Sequence, residues 1–379
     1  MRYLIVTYPK EFHSLEIAGA LEDRGHEVVL WYGSDFPTVQ SAAIDLRPDG
    51  RVSWELIGPG LEGGRPPFDA VWNRRVTPPV FPPTLHPGDL PIARRETQDF
   101  LAGLYQLAAP DAFWVNPLSS RPRAELKAVQ LQEALRLGLA IPPTLMSNDP
   151  DRIRGFLAEF PGQTVYKTFY PAQWESGNDV AVMLTSEVGP DDLPSDATLR
   201  LTPGIFQVKI PKAHELRVTV MGRHVVTARL LSQESDYTRT DWRGGGAYLK
   251  VEPDRLPEKV ERACLELMDR LGIVFGCFDF IVTPEGEHVF LEVNPAGQFL
   301  WVEEVCPDLP LLAPFVDFLE ARRPDFRWQP TPGAIRHADY YDRTQRRIDE
   351  TDPVHVPPAD SFISADDDEA GEEEDEETR

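Results

Sequence analysis

Basic residues are scarce in this chain relative to acids: 38 lysines and arginines stand against 62 aspartates and glutamates in 379 residues, a formal charge of −24. A surface of that sign repels a phosphate backbone, so nucleic acid is excluded as a partner of the surface as a whole. A basic pocket inside an acidic shell is still allowed. Cysteine is scarcer still, only Cys264, Cys277 and Cys306 with no CxxC pair, which reads as reduced thiols of a cytoplasmic protein. No run approaches the ~18 apolar residues of a membrane helix. The opening MRYLIVTYPK is too short for a signal h-region and lacks a cleavage pattern, so no secretory signal is expected. No GxGxxG follows the first strand, which counts against a dinucleotide site. No internal repeat is visible, and no Ser–His or Cys–His constellation points to an enzyme-bound intermediate.

The acidity is uneven. Residues 365–379, ADDDEAGEEEDEETR, hold ten acids and one arginine. With nothing apolar larger than alanine, this block cannot build a core. It reads as a disordered solubilising tail, with a partner-binding or self-inhibiting tail as the alternative.

What is present is an α/β pattern too long for one small core. Residues Arg2 to Tyr8 predict a strand, Phe12 to Arg24 an amphipathic helix stopped by Gly25, and His26 to Trp31 a second strand, a βαβ opening. Asp69 to Asn73 is a third strand leading into Arg74 and Arg75. Pro91 to Leu107 is helical, and Asp111 to Asn116 returns to the sheet. Residues 1–115 therefore form an α/β lobe. In 116–203, a helix over Pro122 to Leu137 precedes one opened by the Asp149–Pro150 cap. A strand over Thr164 to Phe169 carries Lys167, and Asp179 to Leu184 is another. From 204 to about 325 the chain is strand-rich, with helices over Pro257 to Leu271 and near Leu309 to Ala321. Residues 326–379 read as a Pro-rich, acidic, poorly packed tail.

The most informative stretch is CFDFIVTPEGEHVFLEVN, a hairpin turning at Pro284-Glu285-Gly286. If Val282 lies opposite Val289, Asp279 lies opposite Glu292. Phe278, Phe280, Val282, Val289, Leu291 and Val293 then share an apolar face, and Asp279, Glu292 and Asn294 share the other. Two facing carboxylates repel. Spacing alone permits a solvated acidic face, but a hard divalent cation removes the repulsion. An all-oxygen ligand set suits Mg²⁺, which usually binds substrate phosphates as well.

The order Lys167, QVKIPKAHELRV, then a D–x12–E–x–N hairpin resembles an ATP-grasp ligase. More narrowly, WNRR (Trp72 to Arg75), VNP (Val115 to Pro117), ELRVTVMG (Glu215 to Gly222), TDWR (Thr240 to Arg243) and EVNPAGQFLWVEE resemble ribosomal-peptide maturases of the microviridin or graspetide type. These words span nearly the whole chain before the tail. The resemblance implies the α/β (α+β) ATP-grasp fold, with an N-terminal α/β pre-ATP-grasp domain, a central subdomain and a C-terminal subdomain. ATP and Mg²⁺ would lie between the last two. It implies a ligase that activates Asp or Glu side chains of a ribosomal precursor peptide as acyl phosphates and joins them to Ser/Thr or Lys. The competing reading is a ligase that adds free amino acids to a carboxylate. A peptide with a leader, a homodimer and a cytoplasmic setting follow from the same resemblance, with no nucleic acid or membrane partner.

By that resemblance Lys167 contacts the nucleotide phosphates, a role suited to a point charge on a flexible stem. Lys127 on the central helix is a second candidate. Gln207, Val208 and Ile210 match the linker that offers backbone groups to adenine, and Glu215 the ribose position. Asn294 joins both the nucleotide and metal sets. Arg217, and Arg229 on the next strand, fit a phosphate or the substrate carboxylate, with a surface ion pair as the alternative for Arg229. Arg74 and Arg75, at a strand end, and Asp241, Trp242 and Arg243, in a polar loop, are candidates for gripping the peptide. The loop YPAQWESGN departs from the glycine-rich loop of many ATP-grasp enzymes, leaving Trp174 as either a lid or a packing residue.

Overall fold

The computed structural model describes residues 1–61, 67–169, 173–176, 179–182, 185–235, 238–239, 241–243 and 249–358, with backbone alone for 173–182. The chain divides into two compact units. Of the described residues, 1–118, 221–224 and 310–358 form the first, and 119–220 with 225–309 the second.

The first unit begins with β1 (Arg2–Thr7), α1 (Phe12–Asp23) and β2 (Glu27–Tyr32). A hairpin follows, β3 (Ser41–Leu46) and β4 (Val52–Ile57), then β5 (Ala70–Asn73), α2 (Leu90–Ala108) and β6 (Phe113–Val115). The sheet order is β2-β1-β5-β6, all parallel. Parallel pairing explains the unbroken apolar run of β1, since a sheet covered on both faces needs apolar side chains on both. Leu4, Val6, Trp31, Val71 and Leu104 are buried in its core. No helix among the described residues is long and apolar enough to cross a membrane.

The second unit holds α3 (Arg121–Ala124), α4 (Lys127–Arg136), β7 (Thr144–Ser147), α5 (Pro150–Glu159), β8 (Thr164–Lys167), β9 (Gln173–Ser176), β10 (Asp179–Val182), β11 (Ser186–Glu187), α6 (Asp196–Leu201) and β12 (Gly204–Val208). It continues through β13 (His214–Met221), β14 (His224–Leu230), β15 (Val251–Asp254), α7 (Glu258–Leu271), β16 (Phe275–Val282), β17 (His288–Asn294) and α8 (Leu300–Val305). Two sheets form, β11-β8-β12-β7 and β15-β14-β13-β16-β17. β12 was expected to open the strand-rich C-terminal part. Instead it pairs antiparallel with both β7 and β8 inside the smaller sheet. Side-chain alternation reports which faces are buried, not which sheet a strand joins. The larger sheet packs α4 and α7 against one core of Leu131, Leu216, Val218, Leu267, Phe278 and Phe290.

The end of the chain returns to the first unit as α9 (Leu312–Ala321) and α10 (His337–Asp349). On α9, Phe315 meets Trp72 and Phe318 meets Phe113. The sequence reading placed residues 326–379 in a poorly packed tail, yet residues 337–349 are helical and lie against α1. His337 Nδ1 lies 2.9 and 3.0 Å from the two carboxylate oxygens of buried Glu16. Arg343 bonds Asp23, and Arg347 bonds Glu22. Beyond α10, the Asp35 carboxylate accepts from Val356 N at 2.7 Å and lies 2.7 Å from His355 Nδ1. Ions and rings, rather than an apolar stripe, hold this segment, so hydrophobic periodicity did not reveal it. The acidic block at 365–379 lies outside the described residues.

Candidate active site

The site grows from the β16–β17 hairpin. Asp279 faces Glu292, and Cys277 faces Asn294. The register then shifts, so that Phe280 faces Phe290 and Val282 faces His288. The expected Val282–Val289 pairing is therefore one residue off at the turn, while the carboxylate pairing stands. Leu291 falls between paired positions as the extra residue of a bulge. Such an insertion re-aims the strand. Phe290, not Leu291, joins Phe278, Phe280 and Val293 in the core. The bulge lets Phe290 and Val293, three residues apart, both point inward while Glu292 stays on the Asp279 side.

Each carboxylate meets a cation. Arg217, on β13 next to β16, donates from Nη1 to Asp279 Oδ1 and Oδ2 at 3.0 and 3.1 Å, and from Nη2 to the Gln298 carbonyl at 2.7 Å. Lys127 Nζ donates to Glu292 Oε2. Burial alone would raise Glu292, but the Lys127 ammonium outweighs it and lowers the carboxyl to about 2. Burial, with Glu292 opposite, holds Asp279 above the usual carboxylate range against the pull of Arg217.

Gln130 explains how Lys127 reaches this point, and sequence reasoning missed it. Its side-chain amide donates to the Val293 carbonyl at 2.8 Å and accepts from Val293 N at 3.0 Å, fastening α4 to β17. Lys127 lies one turn earlier on the same helix, beside Glu292. A glutamine on a helix carries no signal for such a clamp.

Gly297 is also set by the site. A Cβ there would stand 2.7 Å from Cys277 Cβ and 2.9 Å from Arg217 Nη2. The loop after Asn294 thus leaves room only for hydrogen while its Gln298 carbonyl holds the guanidinium. The Asn294 side-chain oxygen accepts from Ala296 N at 2.9 Å, fixing the start of that loop.

Lys167 ends β8, and its Nζ donates to Gln207 Oε1 at 2.9 Å; Gln207 in turn donates to Thr144 Oγ1 at 2.9 Å. Burial pushes the Lys167 ammonium down, and among the charges acting on it are Glu292, Lys127, Asp241 and Arg243. Arg243 grips Asp241 with two prongs, at 2.9 and 2.7 Å. Burial would raise Asp241, but that fork lowers it to about 2. Trp242 stacks on Trp301 with ring centroids 5.0 Å apart, and the Arg217 guanidinium lies 5.8 Å from its ring. Residues 241–243, read from sequence as a peptide grip, therefore join the same cluster as Lys167, Asp279 and Glu292. Glu215 is buried beside Lys212 Nζ at 3.1 Å, and burial raises its carboxyl.

Other candidates lie apart. Arg229 donates from Nε to Asp254 Oδ2 at 2.8 Å, a half-buried ion pair between β14 and β15. Arg74 is fully buried in the first unit, where its Nε donates to Glu11 Oε1 at 3.1 Å and its charge pairs with that carboxylate. A peptide carboxylate would have to displace Glu11 to reach it. Arg75 is half-buried. Gln207 and Val208 spend their backbone groups in the β12 ladders, Val208 N also donating to Pro143 O at 2.9 Å, so of the three linker residues only Ile210 lies beyond the strand. Trp174 is in β9, and its side chain lies outside what is described.

Four cations, Lys127, Lys167, Arg217 and Arg243, thus meet three carboxylates, Asp241, Asp279 and Glu292, a basic concentration inside an acidic protein. Among the described residues no group of three or more His, Cys, Asp or Glu could hold a metal ion. The facing pair Asp279 and Glu292, with Asn294, instead suits Mg²⁺, which binds through one or two carboxylates and completes its shell with waters and phosphate oxygens. The excess of cations suits the phosphates.

Two sheets carrying a lysine on one and a carboxylate hairpin on the other define an ATP-grasp fold. No family model and no curated protein matches the sequence. Solved structures do. A RiPP-associated ATP-grasp ligase of Chryseobacterium gregarium, in complex with ADP and a leader and core peptide, is similar at 28% identity and a TM-score of 0.76, covering 86% of this chain and 99% of that one. The macrocyclase MdnC of Microcystis aeruginosa MRC, bound with the precursor peptide MdnA, is similar at 30% identity and 0.73, covering 85% and 100%. The macrocyclase MdnB of the same organism is similar at 30% and 0.71, covering 84% and 98%. The chain belongs to this family of RiPP-associated ATP-grasp ligases and macrocyclases.

Proposed function

We propose that the protein is an ATP- and Mg²⁺-dependent macrocyclase of a ribosomal precursor peptide, acting in the cytoplasm. The observation that carries the reading is the Asp279–Glu292 pair, set face to face by the bulge and ringed by four cations. A carboxylate of a peptide Asp or Glu attacks the γ-phosphorus of ATP, and the bond to the bridging oxygen of ADP breaks. The resulting acyl phosphate is attacked at carbon by a Ser/Thr hydroxyl or a Lys amine, which loses its proton as phosphate leaves. Each ring consumes one ATP and removes one water from the peptide.

Asp279, Glu292 and Asn294 would hold the metal, which would supply positive charge to offset that of the phosphates. Lys167 and Lys127 neutralise phosphate oxygens. Arg217 and Arg243, with planar forked donors, suit the nucleotide phosphates as well as the peptide carboxylate. Gln207 orients Lys167, Ile210 borders the adenine, and Glu215 takes the ribose. The chain contributes positioning and electrostatics rather than a covalent intermediate. Peptide recognition extends to a leader, and the enzyme works as a homodimer, which light scattering would check.

The test is ADP release with and without a candidate precursor encoded nearby. Peptide-stimulated release by the wild type, reduced roughly 10²–10³-fold in Glu292→Gln and in Asp279→Asn, supports the assignment. Full activity of either variant with Mg²⁺ present removes these residues from the metal site.

A further inference from the structure

In this structure the two carboxylates assigned to the metal are each held by a cation assigned to the substrates. Lys127 bonds Glu292, and Arg217 bonds Asp279. The Arg217–Asp279 pair is largely shielded from water, with side-chain exposures of 6% and 17%, and the Lys127–Glu292 pair is partly shielded, at 26% and 33%. α4 is fastened to β17 through Gln130, and the Arg217 fork rests on the Gln298 carbonyl.

We infer that these two ion pairs are internal placeholders that make metal and nucleotide binding depend on each other. The inference rests on the reading of Asp279 and Glu292 as metal ligands. A divalent cation arriving alone must take Glu292 from Lys127 and Asp279 from Arg217, stranding two poorly solvated positive charges. A nucleotide arriving alone must take the cations and strand the carboxylates. Breaking one side of a shielded pair is far costlier than exchanging both partners at once. Arriving together, metal and phosphates exchange partners with the chain, carboxylate to metal and ammonium or guanidinium to phosphate, and no charge is left over. The coupling is reciprocal, as linkage requires. The site therefore discriminates against free Mg²⁺ and free nucleotide and loads with the complex.

The distinguishing consequence is a gain of binding on mutation. Lys127→Met releases Glu292 from its placeholder, so Mn²⁺ alone, followed by the paramagnetic resonance of the free ion, binds about 10-fold tighter than to the wild type. Glu292→Gln releases Lys127, so ADP alone, titrated calorimetrically with a chelator present, also binds about 10-fold tighter. Damage to the site would weaken both. Thermal unfolding of each variant checks the fold, and Lys127→Gln replaces Lys127→Met should the latter not fold. An affinity that is unchanged or weaker in either arm overturns the inference. Failure of the wild type to bind ADP even with Mn²⁺ present would instead overturn the nucleotide-site reading on which it rests.

Discussion

The Arg217 guanidinium bridges two strands of one sheet to Asp279, with Nη1 3.0 and 3.1 Å from the two carboxylate oxygens. Its other terminal nitrogen is fixed by the Gln298 carbonyl, beside the bare Cα of Gly297. A lysine has no second prong for that carbonyl. Arg217→Lys is therefore expected to lower peptide-dependent ADP release by roughly 10²–10³-fold. Gly297→Ala, whose new methyl collides with the same guanidinium, should lower it in the same direction while circular dichroism stays unchanged. Wild-type turnover in Gly297→Ala would show that the loop does not set the arginine.

Trp242 and Arg243 sit with the phosphate and metal candidates rather than on a remote face. The double change to alanine is thus expected to lower turnover at saturating peptide, roughly 10²-fold or more, as well as to weaken peptide binding. Calorimetry with peptide and steady-state turnover measured on the same preparation separate the two effects. Unchanged turnover at saturating peptide would return these residues to peptide capture alone.

The C-terminal segment divides into a packed part and an acidic part. Ending the chain after Pro358 keeps α10 and the His355 and Val356 contacts to Asp35, so thermal stability should stay near that of the full chain. Ending it before α10 leaves buried Glu16 without His337. Losing the His337–Glu16, Arg343–Asp23 and Arg347–Glu22 contacts together is expected to lower the urea midpoint. An equal midpoint for the two truncations would contradict the packing role of α10.

The first unit should weaken on mild acidification. Burial, aided by Arg74 and opposed by Glu11, lowers His13 to about 4, whereas an unfolded histidine titrates near 6.5. Between those values the unfolded chain binds more protons, so stability falls as pH drops from about 6.5 toward 4. The two limits differ by about 3 kcal/mol for this group. Half-buried His224, which desolvation also lowers to about 4, acts with the same sign. Glu11 is depressed, so its contribution is present above the ordinary carboxylate value and is lost as pH falls through its folded value. Urea midpoints at pH 7.5 and 5 check this, and His13→Asn should flatten the difference. A flat profile in the wild type would contradict a neutral, buried His13.

Much of this architecture was legible in the sequence. The βαβ opening, the helices α1, α2, α4, α5, α7 and α9 and the Asp279–Glu292 pairing follow from periodicity, caps, glycine stops and one turn. The bulge at Leu291 was not, because a one-residue slip leaves the same apolar letters in place and only changes which of them face inward. The membership of β12 in the smaller sheet and the Gln130 clamp were hidden for a related reason: both are contacts between segments far apart in the chain. Arg74 shows the converse failure. An arginine at a strand end looks available for a ligand, and only the fold reveals Glu11 buried against it.

In the proposed reaction a peptide carboxylate is activated and captured within the same peptide. Intact-mass measurement of a candidate precursor after incubation with the enzyme, ATP and Mg²⁺, with ADP counted in parallel, tests it most directly. The expected product is a peptide lighter by one water for each ADP formed, with no mass gained from amino acids supplied in the buffer. A peptide that gains the mass of a free amino acid, or that is unchanged while ADP accumulates, would contradict it.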